Sequence, residues 1–163
     1  MINLFQPCLG SEELAAVWRV FKSNWIGKGK EVAEFERMFA ILQKGDPSHF
    51  LSTTCCTEGI FIAPEIFACS GYDVIVPSIS FPAVGNAVIA AGADITFCDV
   101  DPRTLNVRAD DIHRVLTPST KAVFVTHYGG VPAEMDEILT LCKPRNIHVI
   151  EDAACAPVSR YKG

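Results

Sequence analysis

The chain has 163 residues, 49% of them apolar and 20% charged, which excludes a disordered polypeptide, where apolar side chains are scarce and one charge sign dominates. Nineteen acidic against fourteen basic side chains leave a formal charge of −5, so a basic face for nucleic acid is not expected. No apolar run approaches the ~20 residues of a membrane-spanning helix, and the opening MINLFQPCLG carries no basic stretch followed by an apolar core; a soluble, cytoplasmic protein without membrane contact is expected.

In chain order, Ser11 is the expected cap of a first helix whose opening turn holds Glu12 and Glu13, placed well for the positive end of the helix dipole. Leu14, Val17, Trp18 and Phe21 then recur at helical spacing and form one apolar face. A glycine-broken loop follows over Asn24, Trp25, Ile26, Gly27, Lys28 and Gly29. A second helix is expected with Val32, Phe35, Phe39 and Leu42 on one side. These two helices make an N-terminal helical segment, residues 1–45.

From residue 46 the pattern changes. Short apolar runs at 49–52, 73–76, 95–98, 122–126 and 148–150 alternate with helical stretches at 57–68, 82–91, 109–116 and 134–143. Strand–helix alternation, with runs apolar on both faces, predicts an α/β fold: a mostly parallel sheet with helices on both faces. Residues 46–163 are read as one structural unit of this kind. Pro82 suits a first helical turn, whereas Pro64 falls inside a helix, where proline costs ~3 kcal/mol or kinks the chain.

The seven cysteines are odd in number and irregularly spaced, and no C-x-x-C pair occurs. No metal site is expected from them. They are read as reduced thiols, mostly buried as small hydrophobes.

In an open α/β sheet, ligands bind beyond the carboxyl ends of the strands. The expected strands are followed there by Thr53 to Thr57, by Pro77 to Phe81, by Asp99 and Asp101, by His127 to Gly130, and by Glu151 and Asp152. Neither G-x-G-x-x-G nor G-x-x-x-x-G-K-[ST] occurs, which removes the dinucleotide and P-loop readings. Cys56 and Thr57 open a helix, whose free N–H groups suit an anion. Asp152 follows a buried strand and needs a cationic partner. Phe81 offers a flat surface for a ring. A phosphate, a flat ring and a protonated ring nitrogen together describe pyridoxal 5′-phosphate (PLP).

Several stretches carry a family likeness: Trp25-Ile26-Gly27-Lys28-Gly29, Cys56-Thr57-Glu58-Gly59, Val74-Ile75-Val76-Pro77-Ser78 and Phe97-Cys98-Asp99-Val100-Asp101-Pro102. Thr120-Lys121-Ala122-Val123, His127-Tyr128-Gly129-Gly130, Ile150-Glu151-Asp152-Ala153-Ala154 and Tyr161-Lys162-Gly163 follow in the same order. The chain resembles the fold-type I, PLP-dependent sugar aminotransferases of the DegT/DnrJ/StrS group, over the N-terminal part of their large domain. The resemblance implies that Thr57, with the backbone around Cys56, cradles the phosphate. It implies that Phe81 stacks on the ring and that Asp152 pairs with the pyridine nitrogen. Cys155 stands where similar sequences place glutamine or histidine near the ring. Trp25, Ile26 and Gly27 resemble a segment near a nucleotide-sugar substrate, with an amino acid such as glutamate as donor.

Two departures stand out. The family's Schiff-base lysine lies beyond Tyr161-Lys162-Gly163, and none of Lys22, Lys28, Lys30, Lys44, Lys121, Lys143 and Lys162 matches it, so no catalytic residue is assigned. Tyr72 stands where an acid is usual. The expectation is a truncated aminotransferase, inactive alone. The alternatives are a non-catalytic subunit forming a homo-oligomer or pairing with a full-length homologue, a fragment of a dehydratase branch, and a cysteine-based enzyme using Cys56, with a depressed pKa, and His127.

Overall fold

A computed structural model describes residues 6–163. The chain divides into two compact units, up to Ser52 and from Thr53 onward. Among the described residues no helix is long and apolar enough to cross a membrane.

The first unit holds α1 (Ser11–Lys22) and α2 (Lys30–Leu42). Ser11 is the first helical residue rather than the cap. Gly10 takes the cap position, and its N–H donates to Glu13 Oε2 at 2.7 Å, so the acid expected only to favour the dipole also closes the helix end. Leu14, Val17, Trp18 and Phe21 on α1 are all exposed. Phe39 of α2 stacks on Phe35 and meets Phe50 edge-on, with centroids 6.0 and 5.8 Å apart.

The strand expected at 49–52 is not formed. Pro47–His49 is a single 3-10 turn, opened by Asp46, whose Oδ1 accepts the Ser48 N–H at 2.9 Å. A strand needs a neighbour to satisfy its N–H and C=O groups, and none pairs with this run among the described residues. The Ser52 N–H and hydroxyl instead donate to Glu36 Oε1 at 2.9 and 2.8 Å, with Lys28 Nζ 3.2 Å from the same oxygen. These contacts, the Ser52 amide foremost, pull the Glu36 carboxyl down to about 2. A carboxylate lowered on folding stabilises the fold above its unfolded value of ~4.3, and that contribution vanishes as pH falls through the folded value. Urea midpoints of the native chain and Glu36→Gln are expected to differ at pH 6 and to converge as pH falls from about 4.3 toward 2.

The second unit carries α3 (Cys56–Ile66), β1 (Asp73–Pro77), α4 (Pro82–Ala90), β2 (Asp94–Cys98), α5 (Ala109–Val115), β3 (Thr120–Thr126), α6 (Met135–Cys142) and β4 (His148–Asp152). The strands form one parallel sheet in the order β2-β1-β3-β4. The step from β1 to β2 runs one way along the sheet, and the steps from β2 to β3 to β4 run the other way. With right-handed crossovers, that reversal sends α4 to one face and α5 and α6 to the other.

Side chains on β3 show both layers. Ala122 and Phe124 join Val74, Val76, Val84 and Val88 in the α3/α4 layer. Val123 and Val125 join Ile75, Ile112, Ile138 and Cys142 in the α5/α6 layer. Alternation with period two, every residue from Ala122 to Val125 being buried, is what a sheet covered on both faces requires. Pro64 lies within α3 and is buried; it supplies no N–H to the Ile60 carbonyl, and the helix ends two residues later. Ala68 then takes a left-handed conformation (φ +49°) and the Cys69 N–H closes on the Pro64 carbonyl at 3.0 Å. Tyr72, where an acid was the family expectation, lies under the Lys121 ammonium, 5.4 Å from the ring centroid.

The cysteines depart from expectation. Cys69, Cys98 and Cys142 are buried, but Cys8, Cys55, Cys56 and Cys155 are exposed, and none is in a disulfide. The buried three lie inside packed layers, whereas the exposed ones sit on irregular segments or at a helix start.

Candidate functional site

The chain reverses its direction across the sheet between β1 and β3, and the crevice at the carboxyl ends of these strands is where such sheets take ligands. Asp152 ends β4 beside it. Ile150 packs in the α3/α4 layer, so Asp152, two residues on, points to that same face. Helices α3 and α4 cover this face, and Cys56 and Pro82 begin them. Thr57 lies in the first turn of α3. Phe81, the N-cap residue of α4, is 64% exposed. The chain runs from β1 through Phe81 into α4, so Phe81 also belongs to the carboxyl edge.

Asp152 is only 6% exposed. Among the described residues its carboxylate accepts one hydrogen bond, from the Ala154 N–H to Oδ1 at 3.1 Å, and forms no ion pair. Its carbonyl accepts the His127 N–H at 3.0 Å, which ties the exits of β3 and β4 together. A nearly buried carboxylate without a cation is costly unless a ligand supplies one. At the start of α3, no side chain caps the helix, so the N–H groups of Cys56 and Thr57 remain open to an anion. Glu58, in the same first turn, is engaged with Thr54, its Oε2 accepting the Thr54 N–H and hydroxyl at 2.8 and 2.7 Å.

Although Cys56 is exposed as a residue, partial desolvation at the start of α3 raises its thiol above the usual range, and the nearby Asp152, Cys55 and Cys155 add to the effect. This corrects the expected depression at a helix N-terminus: partial desolvation, with the acid close by adding to it, moves Cys56 away from the thiolate that nucleophilic work needs. Asp152 and Cys155 lie close enough to Cys56 to act on its thiol. His127, the base of that reading, is already engaged. Its Nδ1 accepts the Ala133 N–H at 3.2 Å and its Nε2 lies 2.9 Å from Glu151 Oε2. These partners place the ring proton on Nε2. The His127 hydrogen bond holds the Glu151 carboxyl below its ordinary value.

Trp25, Ile26 and Gly27 belong to the first unit. The Trp25 indole N–H donates to the Lys28 carbonyl at 3.0 Å and the ring covers Gly29, where a Cβ would stand 2.8 Å from it. A cavity of about 420 Å³ adjoins the loop, lined by Val20, Trp25, Ile26, Gly27, Lys30 and Val32 among others.

Three residues that sequence reasoning missed lie at or near the exits of β3 and β4. Asn106 is buried and spans the turn after β3: its Oδ1 accepts the Tyr128 N–H and its Nδ2 donates to the Val131 carbonyl, both at 2.8 Å. Ser159 ties the same turn through the Gly130 carbonyl at 2.7 Å. Thr126, at the end of β3, carries a hydroxyl that is shielded from solvent and has no hydrogen-bond partner among the described residues. No local sequence signal marks either Asn106 or Thr126, because their settings come from segments distant in the chain.

The sequence profile of the DegT/DnrJ/EryC1/StrS aminotransferase family matches residues 7–163. Among known proteins, the chain is 46% identical over 164 residues to the dTDP-4-dehydro-2,3,6-trideoxy-D-glucose 4-aminotransferase of Saccharopolyspora spinosa, an alignment covering 100% of this chain and 43% of that protein. The crystal structure of the aminotransferase TlmJ from Streptoalloteichus hindustanus superposes with a TM-score of 0.92 at 47% identity, over 97% of this chain and 43% of that one. That of 3-amino-5-hydroxybenzoic acid synthase gives 0.88 at 29% identity, over 96% and 41%. The chain thus spans about two fifths of the length of these relatives.

Proposed function

Because the chain belongs to the DegT/DnrJ/EryC1/StrS aminotransferase family, whose enzymes depend on PLP, we propose that residues 53–163 form part of a PLP site of an aminotransferase acting on a nucleotide-linked keto sugar. The observation that carries this reading is Asp152: nearly buried, without a cationic partner among the described residues, and beside the open N-terminus of α3.

The residues present fit the group. Asp152 would accept from the protonated ring nitrogen, the amides of Cys56 and Thr57 with the Thr57 hydroxyl would hold the phosphate, and Phe81 would cover the ring, with Cys155 near its edge. Bound PLP supplies an electron sink for transfer of an amino group. The chain's own part is to keep the ring nitrogen charged through Asp152, to fix the phosphate and to exclude water with Phe81. Trp25, Ile26 and Gly27 are assigned to the nucleotide-sugar side, and glutamate is a suitable donor.

Covalent attachment of PLP is not assigned to any lysine of the second unit. Lys121 sits at the amino end of β3, Lys143 follows the last turn of α6, and Lys162 Nζ lies 2.5 Å from Asp136 Oδ2. Residues 1–163 alone are therefore read as binding PLP without transferring an amino group. Association with a second copy or a full-length relative is favoured by the exposed apolar face of α1 at Leu14, Val17, Trp18 and Phe21. Titration with PLP is expected to give a saturable absorbance change, with no amino transfer to a dTDP-linked keto sugar in the presence of glutamate. A flat titration contradicts the cofactor site, and measurable transfer contradicts the assignment of the lysines.

A further inference from the structure

We infer that Thr126 is a positioning residue for Asp152, its hydroxyl donating to the carboxylate when a cationic ring is held there. The inference rests on the PLP reading above.

Thr126 and Asp152 are register partners on the neighbouring parallel strands β3 and β4. Phe124 and Ile150, two residues before each, both lie in the α3/α4 layer. Thr126 and Asp152 therefore project from the same face, side by side, at the strand spacing of ~4.8 Å. One carries a donor without an acceptor. The other carries a carboxylate that accepts a single hydrogen bond, on Oδ1.

An orphaned hydroxyl shielded from solvent destabilises a fold, and valine would fill nearly the same shape without that cost. A strand end beside an apolar layer would thus favour valine on packing grounds. Rotation about the Thr126 Cα–Cβ bond, a movement of one side chain, brings the hydroxyl toward Asp152. A carboxylate gripping a cation with one oxygen is oriented by donors to its remaining lone pairs. The Ala154 amide is one such donor and Thr126 supplies the second.

Packing and positioning predict opposite signs. Thr126→Val and Thr126→Ser are compared with the native chain for urea midpoint and for PLP affinity by absorbance titration. Thr126→Val is expected to raise the midpoint while weakening PLP about tenfold, the size of a hydrogen bond to a charged group. Thr126→Ser is expected to retain affinity within about threefold while lowering the midpoint, since it keeps the donor and loses a buried methyl. Native-like PLP affinity in Thr126→Val, with the native chain binding PLP normally, overturns the inference and leaves the cofactor reading standing. Equal weakening by Val and Ser overturns it as well, because the methyl rather than the hydroxyl would then matter. Absence of PLP binding by the native chain overturns the cofactor reading itself, and the inference with it.

Discussion

Asp152→Ala is expected to weaken PLP binding at least about a hundredfold while leaving the fold as stable as before or more so. Removing one partner of a buried ion pair costs about 3–5 kcal/mol, because the other charge is stranded. In the ligand complex the stranded charge would be the protonated ring nitrogen. In the free protein the balance runs the other way, since among the described residues Asp152 is almost buried with one hydrogen bond and no ion pair. Alanine removes a nearly buried acid that has no ion-pair partner among the described residues. Asp152→Asn separates charge from shape: it keeps an oxygen for the Ala154 amide but offers no anion to the ring. Both variants are expected to bind PLP weakly in an absorbance titration, with urea midpoints at or above the native value. Native affinity in Asp152→Asn would show that the carboxylate does not face the cofactor.

The largest effect on the fold itself is expected at Phe124. It is fully buried on β3, the strand that joins β1 to β4, and it is among the largest fully buried side chains of the second unit. Its ring fills the layer under α3 and α4. Phe124→Ala is expected to cost about 3–5 kcal/mol, the lost transfer energy together with the cavity left behind. Against the ~5–15 kcal/mol that holds a typical domain together, that loss brings the second unit close to unfolding. Ile138→Val, on the opposite face, is expected to cost only about 0.5–1.5 kcal/mol. Urea denaturation followed by far-UV circular dichroism measures both. A cost below about 1 kcal/mol at Phe124 would mean that the α3/α4 layer is not the packed core described here.

Much of the fold was legible in the sequence because its signals are local. The runs around Val74, Ile95, Val123 and Val149 are apolar on both faces, and each is followed or preceded by a helical stretch, which by itself implies a covered parallel sheet. Those four strands formed as expected. The fifth run did not, since residues 49–52 have strand-like composition but no pairing partner, and Glu36 takes the Ser52 amide instead. Ser11 failed as a cap for a similar reason: Glu13 reaches back to Gly10. The Asp152 position was readable from its place after a buried strand. The shift of Cys56 was not, because the packing that desolvates it and the acid that adds to the effect, Asp152, come from elsewhere in the chain. Asn106 and Thr126 were invisible for the same reason: one bonds to a turn 22 to 25 residues away, and the other stands in register with Asp152 on the next strand.

The most direct test of the account is a crystal structure of the chain soaked with PLP. The account predicts the ring nitrogen within hydrogen-bond distance of the Asp152 carboxylate, the phosphate on the amides of Cys56 and Thr57, and the Phe81 ring against the pyridine. Density for the cofactor elsewhere, or a phosphate away from the start of α3 with Asp152 left alone, would contradict it.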